Sequence, residues 1–341
     1  MRLLDSRRLT GPNLLLDRAG AVVDVALAPA EVPAAIELWR GCARRLLEAV
    51  GWEREKLAAR RFPGGASLAF TAPIDALYAA TEVNEAAWAM AEAALAKPSV
   101  APADLEAVAA LLRTAIAAES NPALLALERA AAVHGVAFLA DADCASVGLG
   151  AGSLAWPVRG LPDPAAVDWS RVRDVPVVLV TGTNGKTTTV RLLAAMLAVS
   201  GKVAGFTSTD RIEVGGKVLE RGDYSGPGGA RTLLRDPRVE AAVLETARGG
   251  ILRRGLAVRS ADAALVTNVA ADHLGDLGVH DLRTLAEAKL VVARAVPPRG
   301  RLVLPAADRE LAMQGPKSGG APILWFGLDP AAPPIAAAAA G

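Results

Sequence analysis

One stretch limits what this chain can fold into more than any other. The Val-rich apolar run Val177-Val178-Leu179-Val180 leads directly into Thr181-Gly182-Thr183-Asn184-Gly185-Lys186-Thr187-Thr188, and an apolar helical pattern then continues to Val199. Strand, glycine turn and helix in this order form the context of a phosphate-binding P-loop. Glycines let the backbone turn its N–H groups inward around phosphate oxygens, and the helix start adds the positive end of its dipole. Lys186 supplies charge and Thr187 a hydroxyl for a divalent cation. Residues Gly182, Thr183, Asn184, Gly185, Lys186, Thr187 and Thr188 are therefore expected to bind ATP with Mg²⁺.

A fold must carry that loop, and the second half of the sequence supplies one. Short apolar runs at 175–180, 203–208, 241–245, 263–269, 301–304 and 323–326 alternate with helical patterns such as 187–199 and 282–296. Such runs describe strands covered on both faces in a largely parallel sheet. The segment 211–219 differs: Gly215-Gly216 between two short alternating runs predicts a projecting hairpin. Ligands of open α/β sheets lie at the carboxyl ends of the strands. Glu245 ends one strand and is a candidate metal carboxylate, and Asn268, Asp272 and His273 emerge after the next. His134 and His280 lack such neighbours and are assigned no role.

The first half reads as a smaller mixed α+β domain. An extended run at 21–27 precedes helical patterns near 31–50, 84–96 and 102–118. Gly148-Leu149-Gly150-Ala151-Gly152 has the look of a dinucleotide loop but lacks a strand-to-helix frame and reads as a turn. The expected division is a domain over 1–160, an α/β domain over 174–330 and a tail over 331–341, joined by a linker rich in Pro and Asp. With 37 Lys and Arg against 36 Asp and Glu, and no long block of one sign, neither nucleic acid nor an anionic membrane is an expected partner. The two cysteines, Cys42 and Cys144, have no pairing or zinc spacing and read as buried free thiols. No apolar run reaches 18 residues and the first nine are polar and basic, so a cytoplasmic location is expected.

The run from Gly182 to Thr188, with Glu245-Thr246 and Asn268 to His273, resembles the central ATP-binding domain of the Mur ligase superfamily. Within it, Thr207-Ser208-Thr209-Asp210, Gly222-Asp223-Tyr224-Ser225-Gly226-Pro227, the segment 244–255, Leu9-Thr10-Gly11-Pro12-Asn13 and the segment 72–85 resemble cyanophycin synthetases. The resemblance is dense from 175 to 305 and patchy before 170. It implies an ATP-dependent acid–amino acid ligase working through an acyl phosphate. Carried over, it implies that Lys186 holds the transferring phosphates, Thr187 and Glu245 bind Mg²⁺, and His273 binds or supports a second metal. Asn268 would approach the adenine. Lys289 falls where many such ligases carry a carbamate. Arg248 and Arg253 follow the metal-binding Glu, where an acidic acyl substrate would lie, and arginine suits a fork-like grip on a carboxylate.

The resemblance also has departures. The ATP-grasp domain of cyanophycin synthetases has no counterpart between the two halves, so no aspartate-adding half-reaction is expected. The C-terminal ligase domain has none after residue 330, which implies a shortened chain, a homo-oligomer or partner subunit that completes the site, or a nucleotide-binding protein without catalysis. Pro305, in Leu304-Pro305-Ala306-Ala307-Asp308, stands where relatives carry an amide side chain that could contact the nucleotide. The implied substrates are a small-molecule or peptide carboxylate and an amino acid.

Overall fold

A computed structural model describes residues 1–96, 104–272 and 274–339. The chain divides into two compact units, Met1–Leu125 with Gly275–His280, and Ala126–Leu274 with the residues from Asp281 onward.

In the first unit, strands β1 (Arg2–Leu9), β2 (Gly20–Ala26), β3 (Leu57–Phe62) and β4 (Gly65–Thr71) form an antiparallel sheet in the order β1-β2-β4-β3. Helices α1 (Val32–Ala49), α2 (Leu77–Ala96) and α3 (Leu105–Glu119) complete it, followed by α4 (Pro122–Val133), within which the division falls. α1 buries Val32, Ile36, Trp39, Ala43 and Leu47 at three- and four-residue spacing, the stripe that draws an amphipathic helix onto a sheet. A buried polar group needs partners, and Asn84 has them: Oδ1 accepts from Trp39 Nε1 at 2.9 Å and Nδ2 donates to Leu68 O at 2.9 Å. The returning segment Gly275–His280 belongs to this unit, where Arg60 Nη1 donates to Gly278 O at 2.9 Å.

The second unit begins with a small antiparallel sheet of β5 (Phe138–Ala140), β6 (Cys144–Val147) and β7 (Leu154–Pro157). Arg235 fastens it, pairing with Asp141 and donating to Ser146 Oγ and Cys144 O. Cys144, on β6, is only half-buried, whereas Cys42 is buried as expected; both are free. The 148–152 turn is packed against Val239: Ala151 N donates to Val239 O at 2.7 Å, and a Cβ on Gly150 would meet that same oxygen.

The main sheet has eight strands in the order β11-β10-β9-β12-β8-β13-β14-β15. They are β8 (Val177–Thr181), β9 (Ala204–Thr207), β10 (Arg211–Val214), β11 (Lys217–Arg221), β12 (Ala241–Glu245), β13 (Ala263–Val266), β14 (Arg301–Pro305) and β15 (Ile323–Phe326). Six are mutually parallel and match the six apolar runs; β10 and β11 form the antiparallel hairpin. Its turn has positive φ at both Gly215 and Gly216, which only glycine takes without strain. Helices α5 (Lys186–Val199), α6 (Pro227–Leu234), α7 (Arg248–Arg254), α8 (Leu282–Lys289) and α9 (Arg309–Gln314) connect the strands, and α10 (Pro333–Ala339) is a short helix in the terminal segment. The helical pattern 282–296 is split: α8 ends at Lys289 and the chain tightens into a 3₁₀ turn over Leu290–Ala295, all but Arg294 of it buried. Among the described residues, no helix is long and apolar enough to cross a membrane.

Candidate nucleotide site

The carboxyl ends of β9, β12, β8 and β13 converge on the P-loop. Gly182 is held at φ 145°, and a Cβ there would lie 1.8 Å from Thr267 Oγ1, so only glycine fits. Gly185, at φ 81°, is the N-cap of α5, and no side chain caps that helix. The uncapped N–H groups of its first turn, where Lys186, Thr187 and exposed Thr188 lie, make an anion site. Lys186 Nζ donates to Thr183 O at 2.9 Å, which places its charge across the mouth of the loop.

Beyond the loop lies Glu245, at the end of β12 and 2% exposed. Its Oε2 accepts from Thr187 Oγ1 at 2.9 Å and from Thr209 N at 3.3 Å, and the Thr187 and Thr209 hydroxyls are 3.2 Å apart. Its Oε1 is buried with no hydrogen-bond partner among the described residues. Burial pushes its pKa up, against the lowering effects of the Thr187 hydrogen bond and the Lys186 charge. A buried carboxylate oxygen with no donor, beside two hydroxyls, is a donor set suited to a hard cation. Among the described residues no group of three or more His, Cys, Asp or Glu side chains could hold a metal. Glu245 with the Thr187 and Thr209 hydroxyls is the donor set present, one carboxylate of the kind a divalent cation shares with waters and phosphate oxygens.

Lys289, the last residue of α8, is 3% exposed. Its pKa is lowered to about 8, by burial first and then by the charges of Lys186 and Arg248, with Asp272 acting the other way. The structure thus gathers Lys186, Thr187, Glu245, Arg248, Asp272 and Lys289 at one edge of the sheet. Arg248 opens α7 and is half-buried, whereas Arg253 is exposed on the last turn of that helix. His273 lies outside the described residues.

Two contributors have no assigned role in the sequence reading. Thr209 joins the Glu245 cluster, and its place in the segment 207–210 is the signal that could have found it. Asp308 caps α9 through Leu311 N at 3.1 Å, and its other oxygen accepts from Val269 N at 2.7 Å. Asn268 faces the loop: its Oδ1 accepts from Asn184 N at 3.1 Å and its Nδ2 donates to Asn184 O at 3.1 Å. Pro305 ends β14, buried and paired with Phe326.

A glycine loop, a helix start without a side-chain cap, a lysine and a buried carboxylate thus lie together at the carboxyl edge of the largely parallel sheet, the arrangement of a P-loop. The family model described as the Mur ligase middle domain matches residues 180–339 of the chain. The chain is similar to the cyanophycin synthetase of Trichormus variabilis, 51% identical over 156 residues, which are 46% of this chain and 17% of that protein. It is 48% identical to the cyanophycin synthetase of Synechocystis sp. over 161 residues, 47% of this chain and 18% of that one. The chain therefore spans less than a fifth of the length of these relatives. A solved UDP-N-acetylmuramoyl-L-alanyl-D-glutamate--2,6-diaminopimelate ligase is 22% identical, covering 44% of this chain and 31% of that chain at a TM-score of 0.37.

Proposed function

We propose that this chain is the ATP-binding part of an acid–amino acid ligase that activates a carboxylate as an acyl phosphate. Two proteins named cyanophycin synthetase, similar to about half of the chain, support the reaction class. The observation that carries the reading is Glu245, buried with one oxygen unpartnered next to the P-loop. Lys186 and the α5 N-terminus would hold the phosphates, and Thr187, Thr209 and Glu245 would hold Mg²⁺, with His273 serving a second cation. Bound there, Mg²⁺ would neutralise charge on the transferring phosphoryl group, which is the main catalytic task in such a transfer. A substrate carboxylate oxygen would attack the terminal phosphorus with release of ADP, and an amino acid's amine would then displace phosphate and leave an amide. Arg248, half-buried beside the cluster, is better placed to grip the acid than exposed Arg253. Lys289 would carry a carbamate. At pH 7.4 a lysine of pKa about 8 is neutral about a fifth of the time, against about a thousandth for an ordinary lysine, and only the neutral amine adds CO₂. The cytosol, where ATP is abundant, would be the setting.

Phosphate release from Mg·ATP across a panel of acidic peptides and amino acids, with Lys186→Ala as control, tests this. Stimulation by one acid and amine pair together, absent in the variant, is the expected result. ATP binding with no stimulation by any pair would favour a nucleotide-binding subunit whose site another polypeptide completes.

A further inference from the structure

The structure assigns Asn268 to a latch that holds the P-loop in its phosphate-binding shape, in place of contact with the base; this rests on the nucleotide reading above. Both ends of its amide are occupied by one loop residue. Oδ1 accepts from Asn184 N at 3.1 Å and Nδ2 donates to Asn184 O at 3.1 Å. Acceptor meets donor and donor meets acceptor, so the amide has one orientation that satisfies both bonds. Any contact to a base would have to be made from an amide already anchored to Asn184 at both of its polar atoms.

The contacts on either side act in the same direction. Thr267 Oγ1 donates to Asn184 O at 2.6 Å, and Thr183 N donates to Asn268 O at 3.0 Å. Thr183 Oγ1 donates to Ala270 O at 3.2 Å and accepts from Ala270 N at 3.0 Å. Residues 267–270 therefore run along residues 183–184 as a clip, closed at its far side where Asp308 accepts from Val269 N at 2.7 Å. The clip fixes Thr183 and Asn184, which precede α5 and carry the backbone that must curve around phosphate. A loop fixed in advance loses less conformational freedom on binding, so the clip should act on affinity for the polyphosphate whatever base is attached.

Isothermal titration of the full chain with Mg·ATP, Mg·GTP and magnesium tripolyphosphate tests the latch. Removing two hydrogen bonds to the loop should weaken all three ligands by a similar factor, about tenfold or more, in Asn268→Ala. The ratio of ATP to GTP affinity should not change. Thr267→Val, which keeps the side-chain shape and loses one bond to Asn184 O, should give the same uniform pattern at smaller size. It serves as the second variant if Asn268→Ala fails to fold. A collapse of the ATP to GTP ratio in Asn268→Ala with tripolyphosphate binding intact would overturn the latch, as would unchanged binding of all three ligands in folded variants. Wild-type protein that binds none of the three would instead remove the nucleotide reading itself.

Discussion

The two sides of the site are built in opposite ways. Around Thr183 and Asn184, backbone and side-chain groups are matched by residues 267–270, and Asp308 secures that segment in turn. Around Glu245 and Lys289, charge is buried and left incomplete: one carboxylate oxygen has no partner among the described residues, and the ammonium is pushed toward its neutral form. A satisfied hydrogen-bond network stabilises the folded chain, whereas a buried charge without full compensation destabilises it. On the nucleotide reading proposed above, the first side would be prepared before ligand arrives, and the second would be kept at a cost that a cation, phosphate or modification offsets. Natural sites hold such unfavourable groups where function needs them.

The contrast can be broken from either side. The largest effect is expected at Lys186→Ala, which removes the charge at the loop mouth and should lower turnover by about a thousandfold, read as phosphate release. Glu245→Gln should also abolish turnover while raising the thermal midpoint of the ligand-free protein at pH 7. The sign follows from burial: the folded chain holds the Glu245 proton more tightly than the unfolded chain, so ionisation costs stability as pH rises past the ordinary carboxylate value. The gap between variant and wild type should be widest at neutral pH and close in acid; a variant less stable at pH 7 would contradict the account of Glu245.

Lys289→Met should spare ATP binding, reduce turnover, and stabilise the protein at pH 7 in CO₂-free buffer. Between about pH 8 and the ordinary lysine value of 10.5, the unfolded chain holds the extra proton, so wild-type stability gains on the variant as pH rises through that window. Parallel stability curves, measured by urea unfolding, would show that Lys289 is not a buried cation. The smallest effect is expected for Thr209→Val, a few-fold loss of Mg²⁺ affinity in the presence of ATP, with folding unchanged.

Much of the second unit was legible because its strands are covered on both faces and so read as unbroken apolar runs. The hairpin was legible because Gly215-Gly216 demands a tight turn. β1 and β3 were not: Arg2, Arg7, Arg8, Arg60 and Arg61 lie on them, and such strands carry the charge pattern of a surface segment. The P-loop and Glu245 could be placed by the strands that end at them. The burial of Lys289 could not, because a helix pattern does not show which of its polar residues end up inside. The Asn268 latch joins residues 84 positions apart, and no local spacing encodes such a pair.

The most direct test of the proposed chemistry follows an oxygen atom. With the acid that supports turnover in the panel labelled with ¹⁸O in its carboxyl group, the account predicts one labelled oxygen in each inorganic phosphate released alongside ADP. Unlabelled phosphate, or release of AMP with pyrophosphate, would contradict activation of the carboxylate as an acyl phosphate.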